Sequence, residues 1–277
     1  MSKLIDKTLI TDRAYRIFFV DKWLVDRQNT SSKWSQGDEE EDYDPVDNLY
    51  GPDDITYEYN SHGFRCDPFE NNNAEILFMG CSFTEGTGLP LKDLWCTHVH
   101  QALYPNTSYI NLGIAGGGVE CQAEALHYFW NQTKRQVKDI VFWLPQYTRR
   151  FYKVNGQPPW TWLTQMDMIK DPYHNYSLEL FMDEDYAIHR SMIAMGKIQL
   201  VAELMQANIH IYDQNRIEAA KKWFPNMHHI PYFEGPNFVM DVNDLKDMAR
   251  DKRHIGPANS KRVANYIIDN IKKFYER

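Results

Sequence analysis

The sequence has few cysteines, no excess of positive charge and no long apolar run at its start. Its 277 residues include four cysteines, Cys66, Cys81, Cys96 and Cys121, whose irregular spacing indicates reduced thiols rather than a disulfide framework. The chain has 30 Lys and Arg against 38 Asp and Glu, and its formal net charge is −8. Because it lacks a basic stripe that could displace counterions from a nucleic acid backbone, we expect no nucleic acid partner.

The first residues also lack the pattern of an export signal or a membrane span. Charged residues interrupt this segment every few positions, and its longest apolar run extends only from Ile17 to Val20. Secretory signals and transmembrane helices both need longer apolar segments. We therefore expect a cytoplasmic protein with no membrane partner, with carriage on a virion or release by lysis as the alternatives.

Residues 1–56 are interpreted as an N-terminal arm and an acidic linker, and residues 57–277 as one domain. The arm has a loosely helical rhythm of apolar positions up to residue 27, after which periodicity is lost. The acidic run Asp38 to Asp42 is expected to be a hydrated face, because consecutive carboxylates lack the spacing of a cation-binding loop. Two roles stay open for the arm: formation of a homo-oligomer and attachment to a larger assembly.

From residue 75 onward, short apolar segments alternate with amphipathic ones. Strands are predicted in 75–80, 108–113, 139–145, 208–213 and 228–233, and helices in 91–105, 118–132, 192–206 and 257–276. This alternation is typical of a parallel sheet covered on both faces by helices. The predicted fold class is therefore α/β, a three-layer α/β/α sandwich with a central parallel sheet.

An insertion is predicted after the third strand, at about residues 149–186, where periodicity is weak over a length unusual for a loop inside a compact domain. Such a segment is either a lid that faces the substrate or an ordinary surface excursion. Trp160 and Trp162 would stack on sugar rings or anchor the lid to the body. Arg149 would meet an anionic substrate or belong to a solvated edge.

The first candidate for chemistry is Ser82, which follows a predicted buried strand ending at Gly80 and precedes a predicted helix. Ligands of open α/β sheets gather at the carboxyl ends of strands. A serine there exposes its hydroxyl, and its N–H lies where a developing oxyanion is stabilised. The alternative is a turn or capping serine, since Ser and Gly are common in strand-to-helix connections.

The second candidate is the pair Asp251 and His254, three residues apart and just before the last predicted helix. A serine hydroxyl needs an imidazole to accept its proton and a carboxylate to fix the imidazole tautomer. The D-x-x-H spacing alone is a weak signal, because ten histidines and 38 acidic residues produce it by chance. Its position before the terminal helix strengthens it.

These segments resemble the SGNH (GDSL-like) hydrolase family of serine esterases and acetylesterases. The sequence GCSFTEG, residues 80–86, is similar to the first block of that family, and the D-x-x-H of residues 251–254 is similar to its last block. Asn111 and Gly116 match the second block, N-x-x-x-x-G. Residues 57–69 are similar to an N-S-x-G-F-R segment that often precedes the nucleophile.

The resemblance implies a flavodoxin-like SGNH fold over residues 57–277 and a catalytic triad of Ser82, His254 and Asp251. It also implies that the backbone N–H groups of Ser82 and Gly116 bind the oxyanion, with neither a cofactor nor a metal ion. The implied substrate is a small-molecule or glycan ester, such as an O-acyl group on a glycan. An acyltransferase using the same site, or a non-catalytic glycan-binding or structural protein with this fold, is the alternative.

Two positions depart from the family pattern. Cys81 stands where the family usually has an aspartate, and the third block, G-x-N-D, is replaced by FWLPQYTRR at residues 142–150. Gln146 is the candidate for the third oxyanion donor, with Thr148 as a weaker substitute. Losing one such donor typically costs about a hundredfold to a thousandfold in rate, so we expect a slow enzyme rather than an inactive one.

Two other groups of reactive side chains are interpreted as structural. Cys81 is a thiol beside the expected nucleophile, but a cysteine at a strand end is usually packed, and Ser82 holds the family position. His228 and His229 are adjacent, which directs their rings to opposite faces of a strand rather than towards one metal ion.

Overall fold

We describe a computed structural model of the chain, in which the described residues are 24, 26–35, 38–45, 48–70, 72–147, 150–152, 161–163, 184–213, 218–231 and 247–277. The strands are β1 (Ser31–Ser32), β2 (Tyr57–Glu58), β3 (Ile76–Met79), β4 (Tyr109–Asn111), β5 (Asp139–Trp143), β6 (Arg150–Tyr152), β7 (Thr161–Leu163), β8 (Asn208–Tyr212) and β9 (His228–Ile230). The α-helices are α1 (Ser82–Glu85), α2 (Trp95–Leu103), α3 (Val119–Thr133), α4 (Glu184–Met205), α5 (Glu218–Trp223) and α6 (Pro257–Tyr275).

Five parallel strands form the central sheet in the order β4-β3-β5-β8-β9. Leu77 of β3 lies opposite Ile110 of β4 on one side and Ile140 of β5 on the other. Counted along the chain, this order is 2-1-3-4-5, the flavodoxin-like arrangement. The chain leaves β3 towards one edge and returns to the other side of β3, so the carboxyl end of β3 is the switch point where ligands gather in such sheets.

Helices cover both faces of the sheet. Leu77 and Ile140 belong to a buried cluster with residues of α3 and α4. Ile76 and Val141 point the other way, into a second cluster with residues of α2 and α6. Every residue of β3 and β5 is buried, as expected for strands packed on both faces. The predicted three-layer α/β/α sandwich is confirmed.

The last helix, α6, begins immediately after the segment that contains Asp251 and His254. Pro257 occupies its first turn, where the fixed φ of proline suits a helix. The Asp247 carboxylate accepts hydrogen bonds from the N–H groups of Ala258 (2.9 Å) and Asn259 (2.6 Å). This cap fixes the start of α6 relative to the segment that precedes it.

The five predicted core strands and four predicted helices are present, with different ends. Helix α4 begins at Glu184, eight residues before the predicted start at 192, because its first two turns carry few apolar residues. The pattern did not indicate the short helix α5. Within the predicted insertion, β6 and β7 form an antiparallel hairpin, and the other insertion residues before 184 lie outside the described part of the chain.

The described residues between 24 and 56, which we call the N-terminal segment, contact the body of the protein. Strand β1 pairs with β2 in antiparallel register, and Leu24 is buried in the larger core cluster. The expected hydrated face is correct for Glu39, Glu40 and Glu41, which are exposed, but wrong for Asp38, which is only 2% exposed. The domain boundary at residue 56 stays a prediction. Among the described helices, none is long and apolar enough to cross a bilayer.

Candidate active site

Ser82 lies at the carboxyl end of β3, as the first residue of α1. The turn between them needs glycine at position 80, where φ is +154° and a Cβ would lie 2.1 Å from Thr84 Oγ1. The Gly80 N–H donates to Gln122 Oε1 of α3 at 3.0 Å, which anchors the turn to a neighbouring helix. Ser82 is buried, with 7% of the residue exposed.

The structure brings Ser82, His254 and Asp251 together in one hydrogen-bonded row. Ser82 Oγ lies 2.6 Å from His254 Nε2, and His254 Nδ1 is hydrogen-bonded to Asp251 Oδ2. Because a carboxylate can only accept, Nδ1 carries the imidazole proton and the Nε2 lone pair faces the serine hydroxyl. This is the tautomer that a general base towards Ser82 requires.

The loop that carries His254, residues 247–256, is a tight turn. Ala249 N–H donates to the carbonyl of His254 at 3.0 Å, and Met248 pairs with Ile255 in an antiparallel bridge. Lys252 lies between them with a φ of 54°, in the left-handed region. The Asp251 side chain, 1% exposed, also accepts the His254 backbone N–H at 3.2 Å, so the turn itself orients both members of the D-x-x-H pair.

Aromatic rings form one wall of the site. The Phe83 ring meets the His254 imidazole edge to face at 4.9 Å between centroids, and it stacks on Trp143 at 5.1 Å. Trp143 ends β5, the strand next to β3. These contacts restrict the rotation of the imidazole and shield its hydrogen bonds from water on that side.

The loop that follows β4 packs against α1 and contains the predicted oxyanion residue Gly116. The Asn111 amide donates to the carbonyl of Thr84 at 2.8 Å, and a Cβ at Gly113 would lie 2.3 Å from Glu85 N. Gly116 has a φ of +74°, and a Cβ there would meet nothing within 4 Å. Within the described part of the chain, no acceptor is hydrogen-bonded to the N–H of Ser82 or Gly116. Their joint role as oxyanion donors stays a prediction.

Glu85, a residue that the sequence analysis missed, links this loop to the N-terminal segment. Its fully buried carboxylate accepts hydrogen bonds from Arg27 Nη1 (2.7 Å), Tyr59 Oη (2.9 Å) and Ala115 N (2.5 Å). Ala115 directly precedes Gly116, so Glu85 fixes the backbone beside the predicted oxyanion residue. In the sequence, Glu85 stands out only as a carboxylate inside the first block, between two apolar segments.

The other predicted site residues have different outcomes. Gln146 is exposed, three residues beyond the end of β5, and its role stays a prediction. Arg149 and Trp160 lie outside the described residues, and Trp162 is described only as part of the backbone of β7. Thr148 also lies outside them.

The other histidines and cysteines considered in the sequence have structural surroundings. His228 is hydrogen-bonded to His210 at 2.7 Å, and His229 to the carbonyl of Phe224 at 2.9 Å. Burial raises the pKa of the Cys66 and Cys96 thiols to about 12, and all four cysteines are unpaired. Among the described side chains, no group of three His, Cys, Asp or Glu could hold a metal ion.

Comparison with known proteins gives similar folds at low sequence identity. The chain matches no protein-family model and no curated protein. A psychrotrophic esterase from a Pseudoalteromonas species is 14% identical, with a TM-score of 0.45 over 73% of this chain and 98% of the esterase. A lipolytic G-D-S-L family protein from Veillonella parvula is 13% identical, with a TM-score of 0.40 over 74% and 99% of the two chains.

A third similar structure is a GDSL-like lipase from Bacteroides thetaiotaomicron, 13% identical, with a TM-score of 0.38 over 72% of this chain and 87% of the lipase. The second and third of these structures bear the GDSL name, and the first is called an esterase.

Proposed function

We propose that the protein is a serine hydrolase that cleaves carboxylic esters through Ser82, His254 and Asp251. The observation that carries this proposal is the 2.6 Å contact between Ser82 Oγ and His254 Nε2, with Asp251 hydrogen-bonded to the opposite ring nitrogen. An imidazole whose Nδ1–H is bound by a carboxylate offers its Nε2 lone pair to the serine hydroxyl. The position of Ser82 at the switch point of the sheet is a second, independent support.

In the proposed reaction, Ser82 Oγ attacks the ester carbonyl carbon while its proton passes to His254 Nε2. Asp251 offsets the charge of the imidazolium. The tetrahedral intermediate then breaks its bond to the leaving alkoxide, which takes the proton from Nε2 and departs as an alcohol. Water, deprotonated by His254, attacks the acyl-serine and releases the carboxylic acid, so both the serine and the imidazole are restored.

The oxyanion is proposed to be bound by the N–H groups of Ser82 and Gly116, with the Gln146 amide as a third donor. Two features favour the backbone pair: the left-handed φ of Gly116 and the anchoring of its loop by Glu85. Gln146 is exposed, so it would have to order around a bound ester. Without this third donor, we expect turnover to be about a hundredfold to a thousandfold below that of an enzyme with the full set.

The proposed substrate class is a small-molecule or glycan ester, and O-acyl groups on a glycan fit the tryptophans of the insertion. A glycan ester would place its sugar ring against Trp160 or Trp162 and any anionic group near Arg149. If a sugar hydroxyl replaced water in the second step, the same residues would catalyse acyl transfer.

Hydrolysis of p-nitrophenyl acetate and butyrate tests this proposal. The wild type should release p-nitrophenolate and react with a serine-directed phosphonate, whereas Ser82→Ala and His254→Ala should lose turnover by about a thousandfold or more. His98→Ala is a matched control, because His98 is a half-buried histidine of α2 outside the triad.

Phosphonate labelling of Ser82→Ala at the wild-type rate would contradict the assignment of the nucleophile. An unlabelled and inactive wild type would instead favour the non-catalytic alternative, a binding or structural protein with this fold. Labelling without hydrolysis would indicate the acyltransferase if p-nitrophenolate is released once sugar alcohols are added as acceptors.

A further inference from the structure

We propose that Asp38 and Arg250 are positioning residues of the catalytic loop, residues 247–256, so that the described residues between 33 and 57 hold Asp251 and His254 in register with Ser82. This inference rests on the proposed function. Arg250 directly precedes Asp251 in the tight turn, but the residue is 2% exposed, and its side chain contacts Lys33, Gly51 and Pro52 rather than the site.

The guanidinium of Arg250 is held by a two-pronged ion pair with Asp38. Arg250 Nε lies 3.0 Å from Asp38 Oδ1, and Nη2 lies 2.7 Å from Oδ2. Both side chains are almost fully buried, with 0% and 2% exposure. Bidentate contacts of this kind fix the orientation of the two side chains as well as their distance, and a lysine could not reproduce them.

The remaining donors of Arg250 are also satisfied by the N-terminal segment. Nη1 donates to the carbonyls of Gly51 (3.2 Å) and Pro52 (3.0 Å), and Nη2 donates to the carbonyl of Lys33 (2.5 Å). The Trp34 ring covers one face of the guanidinium at 4.0 Å from its centroid. All five N–H groups of the side chain are therefore used, which leaves it one orientation.

A closed ring of hydrogen bonds extends this contact to the turn that follows α1. The backbone N–H of Arg250 donates to the carbonyl of Gly88 at 2.9 Å, and the Gly88 N–H donates to Tyr57 Oη at 2.8 Å. Tyr57 in turn donates to Asp38 Oδ2 at 2.5 Å. The ring joins the N-terminal segment, the turn after α1 and the catalytic loop. Movement of any one of these parts therefore breaks or strains its hydrogen bonds to the other two.

Tyr57 remains a donor in this ring. Burial, followed by the charge of Asp38, raises its pKa above the ordinary range, so the hydroxyl stays protonated. Without the Asp38 charge, Arg250 would be a buried cation with no counterion, and its loop would have to rearrange to reach water. Even a shift of about 1 Å at the imidazole costs about a hundredfold in rate when reacting groups must be aligned.

The test compares variants of the full-length protein by active-site titration with a serine-directed phosphonate. Asp38→Asn should lower kcat by about a hundredfold per titrated site, with KM changed less than about threefold, because alignment rather than substrate binding is lost. Arg250→Lys should show an intermediate loss. Asp44→Asn is the matched control, because Asp44 pairs with Lys252 of the same loop at the surface, 2.9 Å apart, and it should keep wild-type turnover.

Tyr57→Phe is a milder second variant, in case Asp38→Asn does not fold. It removes only the hydroxyl that closes the ring, and we expect about a tenfold loss of kcat with an unchanged far-ultraviolet spectrum. A merely structural role would lower the melting temperature but leave the turnover of each titrated site at the wild-type value. Wild-type turnover per site in the folded variants would overturn the positioning role.

Failure of the proposed function looks different from failure of this inference. If the wild type neither labels nor hydrolyses esters, the proposed function fails. The positioning role is then decided by the proton resonance of the His254 Nδ1–H that is bonded to Asp251. That resonance should shift or broaden in Asp38→Asn and Tyr57→Phe but not in Asp44→Asn, and an unchanged resonance in all three would overturn the inference.

Discussion

At the scale of single residues, buried charges add to the apolar contacts that fix the two loops beside Ser82. Glu85 is paired with Arg27 beside the loop that contains Gly116, and Arg250 is paired with Asp38 beside the loop that contains His254. Breaking a buried pair by removing one partner typically costs about 3–5 kcal/mol, which is a large part of the stability of a domain. The two pairs therefore couple the geometry of the candidate site to the folding of the chain.

Gly88 and Gly116 give a matched pair of substitutions. Both have a φ of +74°, but a Cβ at Gly88 would lie 2.8 Å from Ala249 Cβ and 2.9 Å from Asp251 Oδ1, whereas a Cβ at Gly116 meets nothing within 4 Å. Gly116→Ala should cost only the left-handed backbone strain, about 1–2 kcal/mol. Gly88→Ala should lower the free energy of unfolding in urea by more than this, and it should also displace Asp251.

Equal losses of stability in these two alanine variants would contradict the close packing of Gly88 on the catalytic loop. Phosphonate labelling gives a second readout, because only Gly88→Ala should slow the reaction of Ser82 through the position of Asp251.

The sequence predicts the three residues of the row at Ser82 because each lies in a short local motif. Arg27, Asp38 and Arg250 escape prediction for a physical reason: their ion partners lie 58 and 212 positions away, and only the folded sheet brings them together. Asp38 even occurs in an acidic run, where hydration is the ordinary expectation.

At the scale of elements, the end of the sheet opposite Ser82 contains a buried polar row across three strands. Asp139 of β5 accepts from His210 Nε2 of β8 at 2.8 Å, and His210 Nδ1 lies 2.7 Å from His228 Nδ1 of β9. Burial opposes ionisation of Asp139, but hydrogen bonds from His210, Tyr104 and Tyr275 outweigh it and lower the pKa of the carboxyl group. An ionised Asp139 accepts the Nε2–H of His210, and the contact between the two Nδ1 atoms requires one proton between them.

This row predicts that the folded state loses stability in mild acid. Burial, followed by the charge of His210, lowers the pKa of His228 to about 4 in the folded chain, against about 6.5 in an unfolded one. The unfolded chain therefore binds a proton that the folded chain excludes, and the contribution of His228, complete above about pH 6.5, is lost as the pH falls towards 4.

Urea unfolding from pH 7.5 to 4.5 measures this loss in the wild type and in His228→Gln, which keeps a donor for His210. Other acidic groups titrate in both proteins, so the difference between the two curves isolates His228. The difference between the two free energies of unfolding should shrink or reverse as the pH falls. A difference that does not change with pH would contradict the assignment of the loss to His228.

Among the elements, those of the core sheet are predictable because their patterns are local. Strands such as β3 and β5 are apolar throughout, and α6 has helical spacing with proline at its start. The hairpin of β6 and β7 and the six-residue helix α5 are too short for a period to be visible.

At the scale of the whole molecule, the N-terminal segment and residues 57–277 share buried contacts. A chain that begins at residue 57 would lose the partners of Glu85 and Arg250, together with the buried Leu24. Two unpaired buried charges at about 3–5 kcal/mol each reach the total stability of a typical domain, about 5–15 kcal/mol. We therefore expect this chain to be unfolded or to melt far below the full-length protein.

Circular dichroism during heating checks this expectation. The matched control removes only residues 1–23, which leaves every contact described above in place. A chain of residues 57–277 that melts with the full-length protein would show that the predicted boundary at residue 56 separates two independent parts.

The 172 positions between Ser82 and His254 also have a consequence for synthesis on the ribosome. Ser82, the loop that contains Gly116 and most of the sheet leave the ribosome long before the imidazole that is proposed to activate the serine. The growing chain thus carries Ser82 without its proposed base until residues 251–254 have left the ribosome. Phosphonate labelling of stalled nascent chains of increasing length would then show the chain length at which Ser82 becomes reactive.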